Sequence, residues 1–131
     1  MNLIALDSNV TGLGLQEAYE KAPIPPALPE NNLIPAFVDV EPLTYCIDVS
    51  QIEAQITEKT VAILAPNLMG NLCDWPKIRE IADRYNLIVI EDSADTLGAK
   101  IGGHGSGFYS DMSITSFYGS HIINCAGNGG A

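Results

Sequence analysis

Apolar and polar positions divide the chain into two unlike stretches that meet near residue 33. From there on the pattern is regular. Leu33 to Val38 is a short apolar run of the kind a buried strand makes. Asp48 is placed to cap a helix running to about residue 57, with Val49, Ile52 and Ile56 at helical spacing. Gln51 falls where a capping box has its second member. Val61-Ala62-Ile63-Leu64-Ala65 is the next strand, and Pro66 to Asn71 is a loop. Asp74 caps a second helix, whose first turn tolerates Pro76. Ile78, Ile81, Ala82 and Tyr85 form its inner stripe, and Asn86 is its stop. Leu87 to Ile90 is a third strand, ending in Glu91-Asp92. Residues 100–110 are glycine-rich and read as an exposed loop or hairpin, and Met112 to Tyr118 as a further strand.

Strand, helix, strand, helix, strand predicts an α/β fold with a mainly parallel sheet and right-handed crossovers. The strands are continuous apolar runs rather than alternating ones. That pattern predicts a sheet covered on both faces, hence three layers. Residues 1–32 are poorly patterned. The stretch 22–29 holds half of the chain's 8 prolines, which excludes a helix or central strand there, and a helix is expected at about 14–21. The domain reading is therefore an N-terminal segment, 1–32, followed by a patterned domain, 33–131.

Composition adds exclusions. A length of 131 residues fits one domain, and 47% hydrophobic residues suffice for a core. The net charge of −10 argues against nucleic acid or an anionic membrane as partner. No apolar run approaches the ~20 residues of a membrane span. The first residues, Met-Asn-Leu-Ile-Ala-Leu-Asp, lack the basic start of a signal peptide. Cys46, Cys73 and Cys125 are widely spaced with no CxxC pair, so neither a zinc site nor a disulfide framework is expected. Reduced thiols in a cytoplasmic protein, with no metal, follow.

Candidate chemistry gathers at strand ends. Asp92 follows a strand of four aliphatic residues and so sits at the carboxyl end of the sheet, where a carboxylate serves a ligand or caps a turn. His121 lies in Ser-Ile-Thr-Ser-Phe-Tyr-Gly-Ser-His-Ile-Ile-Asn-Cys-Ala-Gly-Asn-Gly-Gly, residues 113–130. There a strand runs into a turn and a glycine cluster follows. Taken singly, His121 is a surface or structural histidine, Ser116 an ordinary strand serine, and Asp95 a cap or a solvated carboxylate. His104, among Gly102, Gly103, Gly105 and Gly107, lacks the strand-to-helix context of a dinucleotide site and reads as a loop residue. Trp75 and Met69 read as packing residues.

Together, residues 37–48, 61–70, 87–99 and 113–130 resemble, in order and spacing, the DegT/DnrJ/EryC1/StrS family of sugar aminotransferases that use pyridoxal phosphate (PLP). The resemblance implies a fragment of the large domain of the PLP-dependent transferase fold type I. It implies that Asp92 pairs with the pyridine nitrogen of the cofactor and that Ser116 donates to its phosphate. It places Asp95 near the ring hydroxyl, where most members have Gln, and Asn67 near the cofactor. Most members carry, in place of His121, a lysine that forms a Schiff base with PLP, and no Lys or Arg lies beyond position 100.

The exchange of lysine for histidine resembles the branch of PLP/PMP-dependent 3-dehydratases, which act with pyridoxamine phosphate (PMP) on nucleotide-linked 4-keto-6-deoxyhexoses. His121 is then the proton carrier, a task to which imidazole is suited. The expected function is dehydration at C3 in deoxysugar or lipopolysaccharide biosynthesis, with a nucleotide-sugar substrate and a homodimer in the full-length protein. Some enzymes of that branch use an iron–sulfur cluster, with one ligand cysteine in the segment matching 92–95. Ser93 and Ala94 stand there, which favours the cluster-free type. The alternatives are a sugar aminotransferase of the same family and a non-catalytic fragment without cofactor. The resemblance begins at residue 33 and stops at Ala131, where family members continue. The stretch is expected to be an excised part of the domain, inactive alone.

Overall fold

The computed structural model of the chain describes residues 2–5 and 33–131. The elements are β1 (Asn2–Ala5), β2 (Ile34–Ala36), α1 (Val49–Gln55), β3 (Thr60–Pro66), α2 (Trp75–Tyr85), β4 (Ile88–Asp92), β5 (Lys100–Ile101), β6 (His104–Gly105) and β7 (Met112–Ile114). Five strands form one sheet in the order β2-β1-β3-β4-β7, and every neighbouring pair is parallel. β5 and β6 form a small antiparallel hairpin, as the glycine-rich stretch predicts.

The largest departure from expectation is β1. Asn2-Leu3-Ile4-Ala5 falls in the stretch that showed no pattern, yet it lies inside the sheet between β2 and β3. Four residues flanked by hydrogen-bonding neighbours on both edges need no long periodic run to be a strand. The helix expected at 14–21 and the proline-rich stretch lie outside the described residues. β2 is shorter than its apolar run and takes the sheet edge, where Pro35 removes no needed ladder donor.

Both helices start where their aspartates predict. Asp48 Oδ1 accepts the Ser50 N–H at 3.0 Å and the Ser50 hydroxyl at 2.6 Å. Gln51 does not close a capping box. Its Nε2 donates to Asp48 Oδ2 at 2.6 Å, because the Asp48 N–H is already given to the Asp39 carbonyl. α1 stops at Gln55, short of 57, where Ile56 turns extended. Asp74 caps α2 and accepts the Lys77 N–H, with Pro76 in the first turn. Asn86 ends α2 in the left-handed region, at φ 54°, a conformation asparagine tolerates.

Ile52 of α1 and Trp75, Ile78, Ile81 and Ala82 of α2 bury against Ile63, Ala65 and Val89 of the sheet. Tyr85, expected in that stripe, is exposed. The opposite face carries Ala62, Leu64, Ile88, Ile90, Met112 and Ile114, aligned by strand register. Ile88, Met112 and Ile114 are exposed there. Two layers of the expected three are therefore found among the described residues. No helix among them is long and apolar enough to cross a membrane.

β7 ends at Ile114 rather than at 118. Thr115 and Phe117 instead pair with Ala131 and Gly129, so the chain folds back on itself. A Cβ at Gly130 would lie 3.1 Å from the Thr115 carbonyl, which makes glycine the residue that fits this return.

Before β7, Asp111 ties α2 to β4. Its Oδ2 accepts the Val89 N–H at 2.7 Å and Arg79 Nη1 at 3.0 Å. The Val89 N–H, with help from Arg79, holds the carboxyl below the usual carboxylate range. Because the folded-state value is depressed, the contribution is present above the unfolded-state pKa and is lost as pH falls through the folded-state one. Asp111→Asn should therefore lower the urea midpoint at neutral pH, and the gap to the parent chain should close in acid. A gap that stays constant with pH would contradict this role.

Candidate functional site

The carboxyl ends of β3, β4 and β7 are drawn together by backbone bonds. The Asn67 N–H donates to the Asp92 carbonyl and the Ser93 N–H to the Ile114 carbonyl, each at 2.8 Å. Strand alternation then separates the last two residues of β4. Glu91 points into the core, 2% exposed, and Asp92 points to the other face.

Asp92 Oδ1 accepts the Ala94 N–H at 3.0 Å, which shapes the turn that follows. Among the described residues its other oxygen accepts no hydrogen bond. Two further backbone bonds, Thr96 N–H to Ser93 and Ala99 N–H to Thr96, complete the turn and present Asp95.

His121 arrives from the chain after β7. Its N–H closes a turn on the Tyr118 carbonyl at 3.0 Å. Its ring Nδ1 lies 3.1 Å from Asp95 Oδ1, with both side chains partly exposed. A carboxylate oxygen only accepts, so Nδ1 carries the proton, and in the neutral ring Nε2 is the nitrogen with the lone pair. Asp95 Oδ2 also takes the Met69 N–H, at 3.5 Å, from the tip of the β3–α2 loop. That tip has Met69 and Gly70 both in the left-handed region, at φ 53° and 87°. Met69 is exposed there and does not pack as expected.

The structure thus joins Asp95 and His121 directly. Asp92 stands at the end of the same strand, and Ser116 on the continuation of its neighbour. Ser116 Oγ accepts the Tyr118 N–H at 3.2 Å, and its hydroxyl hydrogen has no acceptor among the described residues. No hydrogen bond links Asp92 or Ser116 to the Asp95–His121 pair among the described residues.

Asn67, expected as a cofactor contact, is placed otherwise. It is 3% exposed, and its amide is taken up inside the fold. Its Oδ1 accepts Trp75 Nε1 at 2.9 Å and the Cys73 N–H at 3.0 Å, and its Nδ2 donates to Glu91 Oε1 and Ser93 Oγ. The reason is Trp75, whose buried indole N–H needs an acceptor. Asn67 is thus a positioning residue beneath the strand ends.

Glu91 was not singled out by sequence reasoning. Its Oε1 accepts Asn67 and, at 2.6 Å, Ser93 Oγ. Its Oε2 accepts the Gly107 N–H at 2.9 Å and Ser110 Oγ at 3.3 Å. A buried carboxylate saturated by four donors fixes the hairpin segment under β4. The signal for it was period-two alternation, which puts Glu91 on the same side as Val89. His104 lies in that hairpin and stacks on Phe108, ring centroids 3.7 Å apart. Among the described residues, no group of three or more His, Cys, Asp or Glu could hold a metal ion.

Comparison with known proteins places this arrangement. The model of the DegT/DnrJ/EryC1/StrS aminotransferase family matches residues 26–131, from Pro26 rather than from residue 33. The lipopolysaccharide biosynthesis protein RfbH of Salmonella typhimurium is 47% identical over 102 residues, which cover 78% of this chain and 23% of that one. GDP-perosamine synthase of Caulobacter vibrioides is 44% identical over 96 residues, 73% of this chain and 26% of that one. The crystal structure of NtdA from Bacillus subtilis, with bound cofactor PMP, superposes with a TM-score of 0.79 at 32% identity, over 98% of this chain and 26% of that one. Aminotransferase names recur among the other relatives. The chain spans about a quarter of the length of the relatives it matches. The solved structures share the α/β fold and parallel sheet that the residue pattern predicts.

Proposed function

The chain belongs to the DegT/DnrJ/EryC1/StrS aminotransferase family, and from that premise we propose that it forms part of the cofactor site of a PLP/PMP-dependent enzyme acting on nucleotide-linked sugars. The observation that carries the reading is the Asp95–His121 pair, held at the carboxyl end of a parallel sheet whose strand β4 ends in Asp92. The similarity to GDP-perosamine synthase and to a PMP-bound structure supports the substrate class and the cofactor.

The donor set fits such a cofactor. Asp92 has an oxygen to offer a ring N–H, and Ser116 has a hydroxyl hydrogen to offer a phosphate. When bound, the cofactor supplies a protonated ring that accepts electron density from the substrate. Asp92 would accept the ring N–H of such a cofactor. Asp95 fixes the His121 tautomer, and His121 Nε2 takes and returns a proton. The full-length protein is expected to be a homodimer in the cytoplasm.

Two finer readings divide the support. The names of the relatives back transamination better than the dehydration expected from the sequence. His121, standing where the family resemblance expects lysine, is the observation that favours dehydration at C3. The full-length protein, given PMP, an amino donor and a nucleotide-linked 4-keto-6-deoxyhexose, separates them. Transamination yields an aminosugar and consumes the donor. Dehydration yields a sugar that has lost its C3 oxygen. Failure of the protein to bind PLP or PMP at all would overturn the whole reading.

A further inference from the structure

A chain of serine hydroxyls runs from the buried Glu91 toward the surface, and Ser93 is its pivot. Ser93 is 2% exposed, and its Oγ donates to Glu91 Oε1 at 2.6 Å. A hydroxyl has one hydrogen to give, so Ser93 Oγ accepts its other bonds. Asn67 Nδ2 supplies one at 3.2 Å and the Ser106 hydroxyl another at 2.8 Å. Ser106 has then given its own hydrogen, and its Oγ accepts the Ser113 hydroxyl at 2.8 Å. The carboxylate thus sets the direction of three hydroxyls in a row, each donating inward. They join the end of β4, the segment after β6 and strand β7.

The backbone of Ser93 reaches the other way, toward the site. Its N–H donates to the Ile114 carbonyl at 2.8 Å, and its carbonyl accepts the Thr96 N–H at 3.2 Å. The second bond closes the turn that presents Asp95, whose Oδ1 meets His121 Nδ1 at 3.1 Å. Among the described residues, the Asp95 side chain is otherwise bound only by the Met69 N–H, at 3.5 Å. The turn, rather than any grip on the carboxylate itself, therefore decides where Asp95 stands.

We propose that Ser93 and Ser106, anchored on Glu91, are positioning residues for the Asp95–His121 pair. No hydrogen bond joins either serine to His121 among the described residues, so they act through the turn. The buried hydroxyl pins residue 93, residue 93 closes the turn, and the turn holds Asp95 where it takes the Nδ1–H of the ring. Without the Ser93 hydroxyl the turn is free to shift, and the ring loses the partner that fixes its tautomer. The inference rests on the place proposed above for Asp95 and His121 in the site. Its test reads the ring itself, without cofactor or turnover. A protein that binds neither PLP nor PMP and a relay that does not position the ring are therefore separate results.

The experiment records the ring-nitrogen chemical shifts of the isotope-labelled 131-residue chain by NMR, at a pH where imidazole is neutral. The chain has 2 histidines, so a His121→Gln spectrum assigns the signals. The parent chain should show His121 as the Nδ1–H tautomer, and Asp95→Ala should show the loss of that form. Ser93→Ala should move toward the Asp95→Ala pattern, and Ser106→Ala should move the same way by less. A folded Ser93→Ala chain that keeps the parent tautomer would overturn the proposal, whatever its urea midpoint. So would a parent chain whose His121 proton sits on Nε2. If Ser93→Ala does not fold, Ser106→Ala decides: a shift toward the Asp95→Ala pattern upholds the relay, and the parent tautomer retained overturns it.

Discussion

On the proposed function, replacing His121 with alanine in the full-length protein is expected to lower turnover of the nucleotide sugar by roughly 10²–10⁴-fold, the range a positioned general base contributes. Cofactor affinity and KM should move much less. The expectation rests on the geometry of one ring. Its Nδ1–H is engaged by Asp95, so Nε2 is left as the proton acceptor. No Lys or Arg lies beyond position 100 to substitute from the same segment. Asp95→Asn should show a smaller loss with the same signature, because an amide can turn its N–H toward Nδ1 and favour the wrong tautomer. Steady-state kinetics beside a cofactor titration reads both effects. A His121→Ala enzyme with undiminished kcat would remove the histidine from the chemistry and leave it a turn residue.

Glu91→Ala is expected to cost about 3–6 kcal/mol of folding stability. The carboxylate serves four donors in a buried place, and its loss leaves the Gly107 N–H without its acceptor and the Asn67 amide with Ser93 Oγ alone. Each hydrogen bond to a charged group contributes about 1.5–3 kcal/mol, and such terms do not add in full. Against a typical total of about 5–15 kcal/mol, that leaves a large unfolded fraction. Glu91→Gln should fall between, since one acceptor survives while the new amide N–H meets donors. Urea unfolding followed by circular dichroism measures both. A cost under about 1 kcal/mol for Glu91→Ala would mean that water takes over the acceptor role.

Much of the fold was legible because it is local. Asp48, Asp74 and Asn86 mark helix ends by chemistry that acts within a few residues, and the structure puts them at those ends. The apolar runs before Pro66 and Asp92 likewise made the strands they predicted. Legibility failed where the deciding contact was distant. β1 is a strand because β2 and β3 flank it, not because its four residues announce one. The run from Met112 stops pairing at Ile114 because 129–131 compete for its backbone.

The site shows the same division. His121 and Asp95 were singled out separately, and the structure joins them. Asn67 was placed near the cofactor by the family resemblance of its loop. Nothing within that loop disclosed that Trp75, eight residues on, would take its oxygen. The value of Glu91 could be seen only once its donors, spread from Asn67 to Ser110, were brought around it.

The neighbouring carboxylates at the end of β4 have an evolutionary consequence. One peptide bond separates an acid that the fold cannot spare from an acid that opens toward the proposed cofactor site. Only the parity of the strand sorts them. Within β4, Ile88, which is exposed, can drift freely, whereas Val89 and Glu91 are buried. An insertion or deletion of one residue before Glu91 would exchange the two roles, with a buried acid facing outward and the outward acid driven into the core. In descendants of this chain, β4 should therefore hold its length even where its exposed position varies.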